Sequence, residues 1–475
     1  MKIIILGAGQ VGTSVAESLV SEANDITVVD SHIEHLNALQ ERLDLRVVPG
    51  NAASPSILDA AGAGDADLLI AVTQSDQTNL CACRVAKTLF NVPTRIARLR
   101  AADYEDHPEL LDDSNFAVDH SICPEQIVTD YIRKLIEFPE ALQVLEFADG
   151  MVTMIAVRAF EGGLLVGKPL KSIPQRLPNI DARVAAIFRR EQPIAPHGDT
   201  VIESGDEVFI LAATSHIRKV MSELRRMDTP IRRVIIAGGG NIGMRLAKAI
   251  EKTVHVKLIE HDRRRAEVLA TGLERTLVLR GDATDEALLD AESIEETDMF
   301  LALTNDEEDN IMSASLAKQM GARRTLALIN RKSYVDLVQG GRIDIAISPA
   351  QTSIGQLLAR VRRGDVAAVH SLRRGAAEAL EIVAHGDAKH CKVIGRRVDE
   401  LDLPDGATIA AIVRKTGQSR TEYKELVPYE VPIFEVIIAH HDTVIRAEDH
   451  VIIFCTSKKL VAQVEKLFQV GWGFF

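Results

Sequence analysis

The sequence predicts an α/β chain of two tandem doubly wound parallel sheets, each followed by a small α+β domain. Three observations lead there. The chain repeats itself at a shift of about 231 residues. Residues 1–140 alternate short apolar runs with stretches whose apolar positions recur at three-and-four spacing. Beyond residue 140 that texture gives way to alternating segments joined by turn signals. At roughly 150 residues per domain, 475 residues suit a multidomain chain.

Residues 2–6, 26–30, 46–48, 67–72 and 94–98 read as strands, and 10–21, 33–43 and 78–90 as amphipathic helices. Runs that are apolar on both faces, with helices between them, imply a parallel sheet covered on both sides. Segments 142–147 and 151–159 flank Asp149-Gly150, a hairpin signal. A strand at 207–211 and a helix at 215–226 complete the copy. In the second copy residues 67–73 return as 298–304, 122–126 as 347–351, 183–189 as 408–414 and 205–208 as 448–451, and Tyr104 returns as Tyr334. The expected divisions are 1–140, 141–228, 230–366 and 367–463, with an aromatic tail at 464–475. One segment breaks the match: residues 417–441 are an insertion, either an extended loop or an extra hairpin, with strand-like alternation at 431–438.

Gly7-Ala8-Gly9-Gln10-Val11-Gly12 follows the first strand directly and opens a helix-compatible stretch. Such glycines allow a tight turn, close approach of a pyrophosphate and close helix–strand packing, while the helix start supplies amides and a favourable dipole. Asp30 ends the next strand 18 residues after Gly12, near the ~20 expected of a carboxylate that accepts ribose hydroxyls. Gly238-Gly239-Gly240-Asn241-Ile242-Gly243 and Glu260 repeat the arrangement. Both sheets are therefore read as Rossmann-like and nucleotide-binding. An acid at this position favours NAD(H) over a 2′-phosphorylated cofactor, and an adenosine ribose satisfies it equally, leaving ATP or ADP open, above all at the first site.

Asn51 and Asp282, after the third strands, are placed to meet adenine or ribose. Thr73 and Thr304, with Gln74 and Asn305, lie at the carboxyl ends of the fourth strands, where open parallel sheets bind ligands. Arg98 ends the fifth strand with Arg100 nearby, placed either to neutralise a phosphate or to pair with a carboxylate. Leu328 and Asn330 stand there in copy two, so the two sites are not equivalent. The triplet 263–265, all arginine, reads as a solvated basic patch, and Cys81 and Cys83 as packed helix thiols.

Composition removes other classes. With 55 basic against 68 acidic residues the net charge is −13, which disfavours nucleic acid and anionic lipid. The longest run free of Asp, Glu, Lys and Arg, 345–359, falls short of the ~20 residues of a membrane span. Residues 1–7 lack the pattern of a secretory leader. Five cysteines are too few for a disulfide framework. The small domains carry no acid–base or nucleophile pattern: His197 and His441 beside Asp199 and Asp442 read as exposed loop pairs, and His390-Cys391 and His440-His441 lack metal-ligand spacing. No catalytic residue and no metal ligand is assigned. An NAD-dependent oxidoreductase is the alternative, and a redox-sensing repressor lacks its helix-turn-helix and basic face.

With the repeat, the loops and the small domains in place, the chain resembles the TrkA family, the cytosolic nucleotide-binding subunits of bacterial Trk potassium uptake systems, built from tandem RCK (regulator of potassium conductance) units. Residues 2–12 resemble the family's opening, and Val166 to Leu170 and Val393 to Arg397 resemble its C-terminal subdomains. The resemblance implies NAD(H) and adenine nucleotides at Gly7–Gly12, Asp30, Thr73 and Arg98, and at Gly238–Gly243, Glu260 and Thr304. It further implies a ring, expected as a homotetramer, docked on a Trk-type potassium-translocating integral membrane subunit. Such a protein would be cytoplasmic and peripheral on the inner membrane through that partner, and would gate potassium uptake.

Overall fold

The computed structural model describes residues 1–20, 24–101, 104, 106–190, 192–224, 230–331, 334, 343–361, 366–372, 377–424 and 427–470. The predicted tail aromatics Trp472, Phe474 and Phe475 lie outside the described residues, as do the last two residues of the 215–226 helix.

The chain forms four sheets in succession. The first takes β1 (Lys2–Leu6), β2 (Asp25–Asp30), β3 (Arg46–Pro49), β4 (Leu68–Ala71), β5 (Thr94–Arg98) and β6 (His120–Ile122), in the order β3-β2-β1-β4-β5-β6. All its described pairings are parallel. Helices α1 (Gln10–Val20), α2 (Ile33–Gln40), α3 (Pro55–Ala60), α4 (Asp76–Phe90) and α5 (Pro124–Glu137) alternate with the strands. Ile3 to Leu6 are each at most 2% exposed, and β4 is buried along its whole length. A strand covered on both faces must be apolar at consecutive positions, which is why these strands read as continuous runs. The three-residue β6 is not legible in the sequence, because so short a piece is not distinguishable from the loop before a helix.

The second sheet is antiparallel: β7 (Ala141–Phe147), β8 (Val152–Arg158), β9 (Ala182–Arg189), β10 (Gln192–Ile194) and β11 (Glu207–Ala213), ordered β10-β9-β11-β8-β7. The predicted turn between β7 and β8 places Ala148, Asp149 and Gly150 at positive φ. Helices α6 (Ile173–Arg176) and α7 (Ile217–Leu224) accompany it.

The second copy repeats both. Strands β12 (Arg233–Ala237), β13 (His255–Glu260), β14 (Leu277–Arg280), β15 (Met299–Ala302), β16 (Arg324–Leu328) and β17 (Ile345–Ile347) form a parallel sheet ordered β14-β13-β12-β15-β16-β17. Its helices are α8 (Asn241–Ile250), α9 (Arg263–Gly272), α10 (Glu286–Ala291), α11 (Glu307–Gln319) and α12 (Pro349–Val361). The last sheet holds β18 (Val366–Leu372), β19 (Ala377–Val383), β20 (Ala407–Lys424), β21 (Val427–Ile438) and β22 (His450–Cys455), followed by α13 (Val461–Phe468). Its order, β18-β19-β22-β20-β21, matches the second sheet strand for strand. The insertion is a hairpin: β20 runs 18 residues and pairs antiparallel with β21, with a register shift between Lys415 and Ser419. Strand β21 is the sheet edge, where Pro432 lies opposite Ser419 and Pro428 opposite Tyr423.

Two compact units result. One joins residues 1–133 and 231–357, the two parallel sheets; the other joins 134–230 and 358–475, the two antiparallel sheets. In the second unit one apolar cluster draws on both copies, with Phe147, Phe188 and Phe209 beside Leu372, Val413 and Phe454. The Phe209 and Phe454 rings lie 5.9 Å apart. Glu381 crosses between the copies, accepting from the Ala148 amide at 2.8 Å and meeting His450 Nδ1 at 2.6 Å. Among the described residues no helix is long and apolar enough to cross a membrane.

Candidate functional site

In each parallel sheet the strand order reverses between the first and fourth strands, and ligands of such sheets bind beyond the carboxyl ends at that point. The glycine loop leaves β1 there. Gly7 adopts φ +107°, and its amide donates to Val29 O at 2.7 Å, tying the loop to β2. A Cβ on Gly12 would fall 1.8 Å from Gly7 O, and one on Gly243 would fall 2.0 Å from Gly238 O, so α1 and α8 start directly against their own loops. Gly9 and Gly240 differ: a Cβ there meets nothing within 4 Å, and Gly9 and Gln10 face solvent. The third glycine serves packing, whereas the second leaves open approach for an anion.

The acids at the ends of β2 and β13 close onto these loops. Asp30 Oδ2 accepts the Ala8 amide at 2.6 Å, and Oδ1 accepts the His32 amide at 2.8 Å with the His32 ring at 3.0 Å. Burial raises the Asp30 pKa, but the Ala8 and His32 hydrogen bonds outweigh it, so the net pKa is lowered and the carboxylate is charged at neutral pH. Glu260 Oε2 accepts the Gly239 amide at 2.8 Å. Glutamate is one methylene longer than aspartate and intrudes further: a Cβ at 239 would sit 2.9 Å from Glu260 Oε2 and 2.2 Å from Leu269 Cδ1. A residue larger than glycine at 239 would have to displace both Leu269 and Glu260, whereas copy one carries Ala8 beside Asp30.

Thr73 and Thr304 sit across from the loops, each held by an asparagine that the sequence reading did not single out. Asn79 Oδ1 accepts the Thr73 amide at 3.0 Å and hydroxyl at 2.7 Å, while Nδ2 donates to Thr73 O and to Arg98 O at 2.9 Å. Asn310 makes the same four bonds to Thr304 and Leu328. Both asparagines are at most 1% exposed. They fall at the same 231-residue shift as the glycine loops, a signal the repeat comparison could have caught. Gln74 and Asn305 are exposed beside these threonines. Asn51 and Asp282 are exposed at the ends of β3 and β14, and each spends one oxygen on its own turn, toward Ala53 N and Thr284 N respectively.

The basic residues sit differently from a free phosphate clamp. Arg98 Nη2 pairs with Glu125 Oε1 at 2.8 Å, both side chains 11% exposed, and Arg100 Nε lies 3.4 Å from the same oxygen. The ion-pair reading thus describes Arg98 in this structure, although its partner is nearly buried rather than on the surface. Arg98 Nε is buried without a hydrogen-bond partner. In copy two Asn330 Oδ1 instead takes Ser348 Oγ at 3.3 Å. Arg265 corrects the solvated-patch reading of 263–265: its Nε donates to Gly239 O at 2.7 Å, bracing the second loop. Arg245, also unforeseen, leaves α8 and reaches copy one, donating to Gln126 Oε1 at 2.9 Å and Arg100 O at 2.8 Å.

Elsewhere, Asp199 binds Lys171 Nζ at 2.6 Å rather than His197. Cys83 is packed, its thiol pushed up to about 12 by burial, but Cys81 is exposed, against the reading of both as packed.

A TrkA-N domain model matches residues 3–124 and 234–349, the two parallel sheets, and a TrkA-C domain model matches 154–225. Among curated proteins, the chain is 54% identical to the Trk system potassium uptake protein TrkA of Halomonas elongata, with 100% of each covered. It is 54% identical to that of Vibrio alginolyticus and 48% to that of Haemophilus influenzae, covering 99% of both chains in each case. Among solved structures, the GsuK RCK domain matches with TM-score 0.60 at 17% identity, over 98% of this chain and 94% of that one. The GsuK channel matches with TM-score 0.61 at 18% identity, over 98% and 78%. These last likenesses are of fold. The chain belongs to the TrkA family of Trk system potassium uptake proteins, an assembly of two TrkA-N type sheets and their antiparallel companions.

Proposed function

We propose that the chain is the nucleotide-sensing regulatory subunit of a potassium uptake system, binding NAD(H) in each repeat and gating a partner potassium-translocating membrane protein. The observation that carries the reading is the duplicated loop whose middle glycine is open to approach while a carboxylate holds the amide beside it. Gly7 to Gly12, Asp30, Asn51, Thr73, Gln74, Arg98 and Arg100 form the first site; Gly238 to Gly243, Glu260, Asp282, Thr304 and Asn305 form the second. A structural neighbour, the GsuK channel bound to NAD, supports NAD(H) as the ligand class. Arg98 and Arg100 stand at the carboxyl end of β5 in the first site where copy two has Leu328 and Asn330, a difference that suits ATP or ADP at the first site.

The chain acts as a sensor rather than an enzyme: it converts differential affinity of two conformations for nucleotide into a change of shape. Its segments are 1–140 and 230–366 for nucleotide, and 141–228 and 367–463 for regulation. It assembles as a homotetrameric ring on the cytoplasmic face of the inner membrane, held there by its partner.

NADH and ATP titrations of the wild type, Asp30→Ala and Glu260→Ala test the sites. Each variant should lose one site and keep the other, and unchanged isotherms in both would overturn the assignment. Deletion of the gene should reduce potassium uptake at low external potassium; normal uptake would refute the coupling.

A further inference from the structure

We infer that the first repeat carries a divalent transition-metal site, formed by Asp30, His32 and His35, that competes with nucleotide for the Asp30 carboxylate. The competition rests on the nucleotide reading above; the metal site does not.

Ligand atoms of these three side chains all lie within 4.8 Å of one another. Asp30 Oδ1 and His32 Nδ1 are 3.0 Å apart, and the His32 and His35 rings have centroids 5.2 Å apart. Bonds of ~2.0–2.1 Å around a tetrahedral ion hold neighbouring ligand atoms about 3.4 Å apart. Closing the cluster therefore needs contraction by no more than about 1.4 Å, well within the reach of two exposed imidazoles. The backbone already positions them: His32 precedes α2 as its cap residue, and His35 lies in that helix's first turn.

Asp30 is meanwhile fixed by the Ala8 amide on Oδ2, the kind of outer hydrogen bond that orients a metal-ligating carboxylate. Two imidazoles and one carboxylate suit Zn²⁺, Co²⁺ or Ni²⁺, and leave a coordination position for water. In the present arrangement His32 Nδ1 rests on Asp30 Oδ1; a cation would take the place of that hydrogen. It would also take the oxygen lone pairs that ribose hydroxyls need, since Oδ2 is already engaged.

The chain contains its own control. In copy two the corresponding positions hold Glu260, Asp262 and Arg265, and Arg265 is bound to Gly239 O. No imidazole stands at either histidine position; His261 Nδ1 lies 3.1 Å from Glu260 Oε1, but among the described residues no group of three converging ligands forms there.

The test uses tag-free full-length protein treated with chelator, titrated with Co²⁺ and followed by the visible absorption of the bound ion, with equilibrium dialysis against Zn²⁺ alongside. One ion should bind per chain, and His32→Ala and His35→Ala should each weaken it at least tenfold. Because both histidines are exposed, neither change threatens folding, and retained Co²⁺ binding in the double variant overturns the inference. Saturating Co²⁺ should then weaken NADH at the first site at least tenfold in the wild type and leave the double variant unchanged. NADH affinity indifferent to bound Co²⁺ would overturn the competition. If metal-free protein bound no NADH at all, the nucleotide reading would fall while the metal site stood.

Discussion

Gly9→Ala and Gly12→Ala form a matched pair that separates folding from binding. At position 12 the new Cβ would lie 1.8 Å from Gly7 O, a backbone atom fixed by its own residue's amide bond to Val29. Neither the loop nor α1 can yield without shifting the other, and overpacking of this kind costs about 1–3 kcal/mol. Taking about 2 kcal/mol, the melting temperature should fall by roughly 4–8 °C. At position 9 the same methyl meets nothing within 4 Å and faces solvent, so the stability change should stay within about 0.5 kcal/mol. On the proposed nucleotide site, that methyl nevertheless stands where a pyrophosphate comes close. NADH affinity at the first site should drop at least tenfold, or about 1.4 kcal/mol. Differential scanning fluorimetry without ligand reads the first effect, and a fluorescence titration with NADH reads the second. A Gly9→Ala melting temperature lowered as far as that of Gly12→Ala, or full NADH affinity in Gly9→Ala, would refute the division of labour between the two glycines.

Three further expectations follow from the contacts. Asn79→Ala removes a fully buried side chain and strips partners from the Thr73 amide and from two carbonyls, and should cost about 1–3 kcal/mol by urea denaturation, against little for Asn→Ala at an exposed position. The hydrogen bond that His450 donates to the Glu381 carboxylate raises the His450 pKa above its ordinary value near 6.5, outweighing desolvation. Its stabilisation is therefore complete below the unfolded value and fades as pH rises through the folded one; His450→Gln should flatten the urea midpoint across that window, and an unchanged slope would exclude the pair as its source. Arg245→Ala removes the contacts to Gln126 and Arg100 and should change first-site nucleotide affinity two- to tenfold without altering the second glycine loop, as read by isothermal titration of the Glu260→Ala background.

What the sequence reveals of this fold is what local chemistry dictates. Strands β1, β4, β12 and β15 are buried on both faces, so their apolar runs are continuous and unmistakable. The glycine loops are legible because turn, helix start and acid lie within about 25 residues of one another. The Asn79 brace is not, since a lone polar residue in an amphipathic helix reads as a solvent-facing position until tertiary structure buries it. Glu125 comes from 27 residues beyond Arg98, and Gln126 from 119 before Arg245, separations at which charge patterning carries no pairing information. Arg265 reads as solvated because its neighbours Arg263 and Arg264 are; only the side-chain direction sets it apart. The inserted hairpin is legible only as one of two readings, because alternation on one arm does not reveal whether a partner strand exists.

That hairpin makes its sheet end in a long edge strand, the usual invitation for another chain to add itself by backbone pairing. Pro428 and Pro432 sit on that margin, and neither has an N–H to offer. Prolines are placed on edge strands because each removes a donor from the pairing ladder, so lengthening this one repeat comes with a device that discourages strand addition.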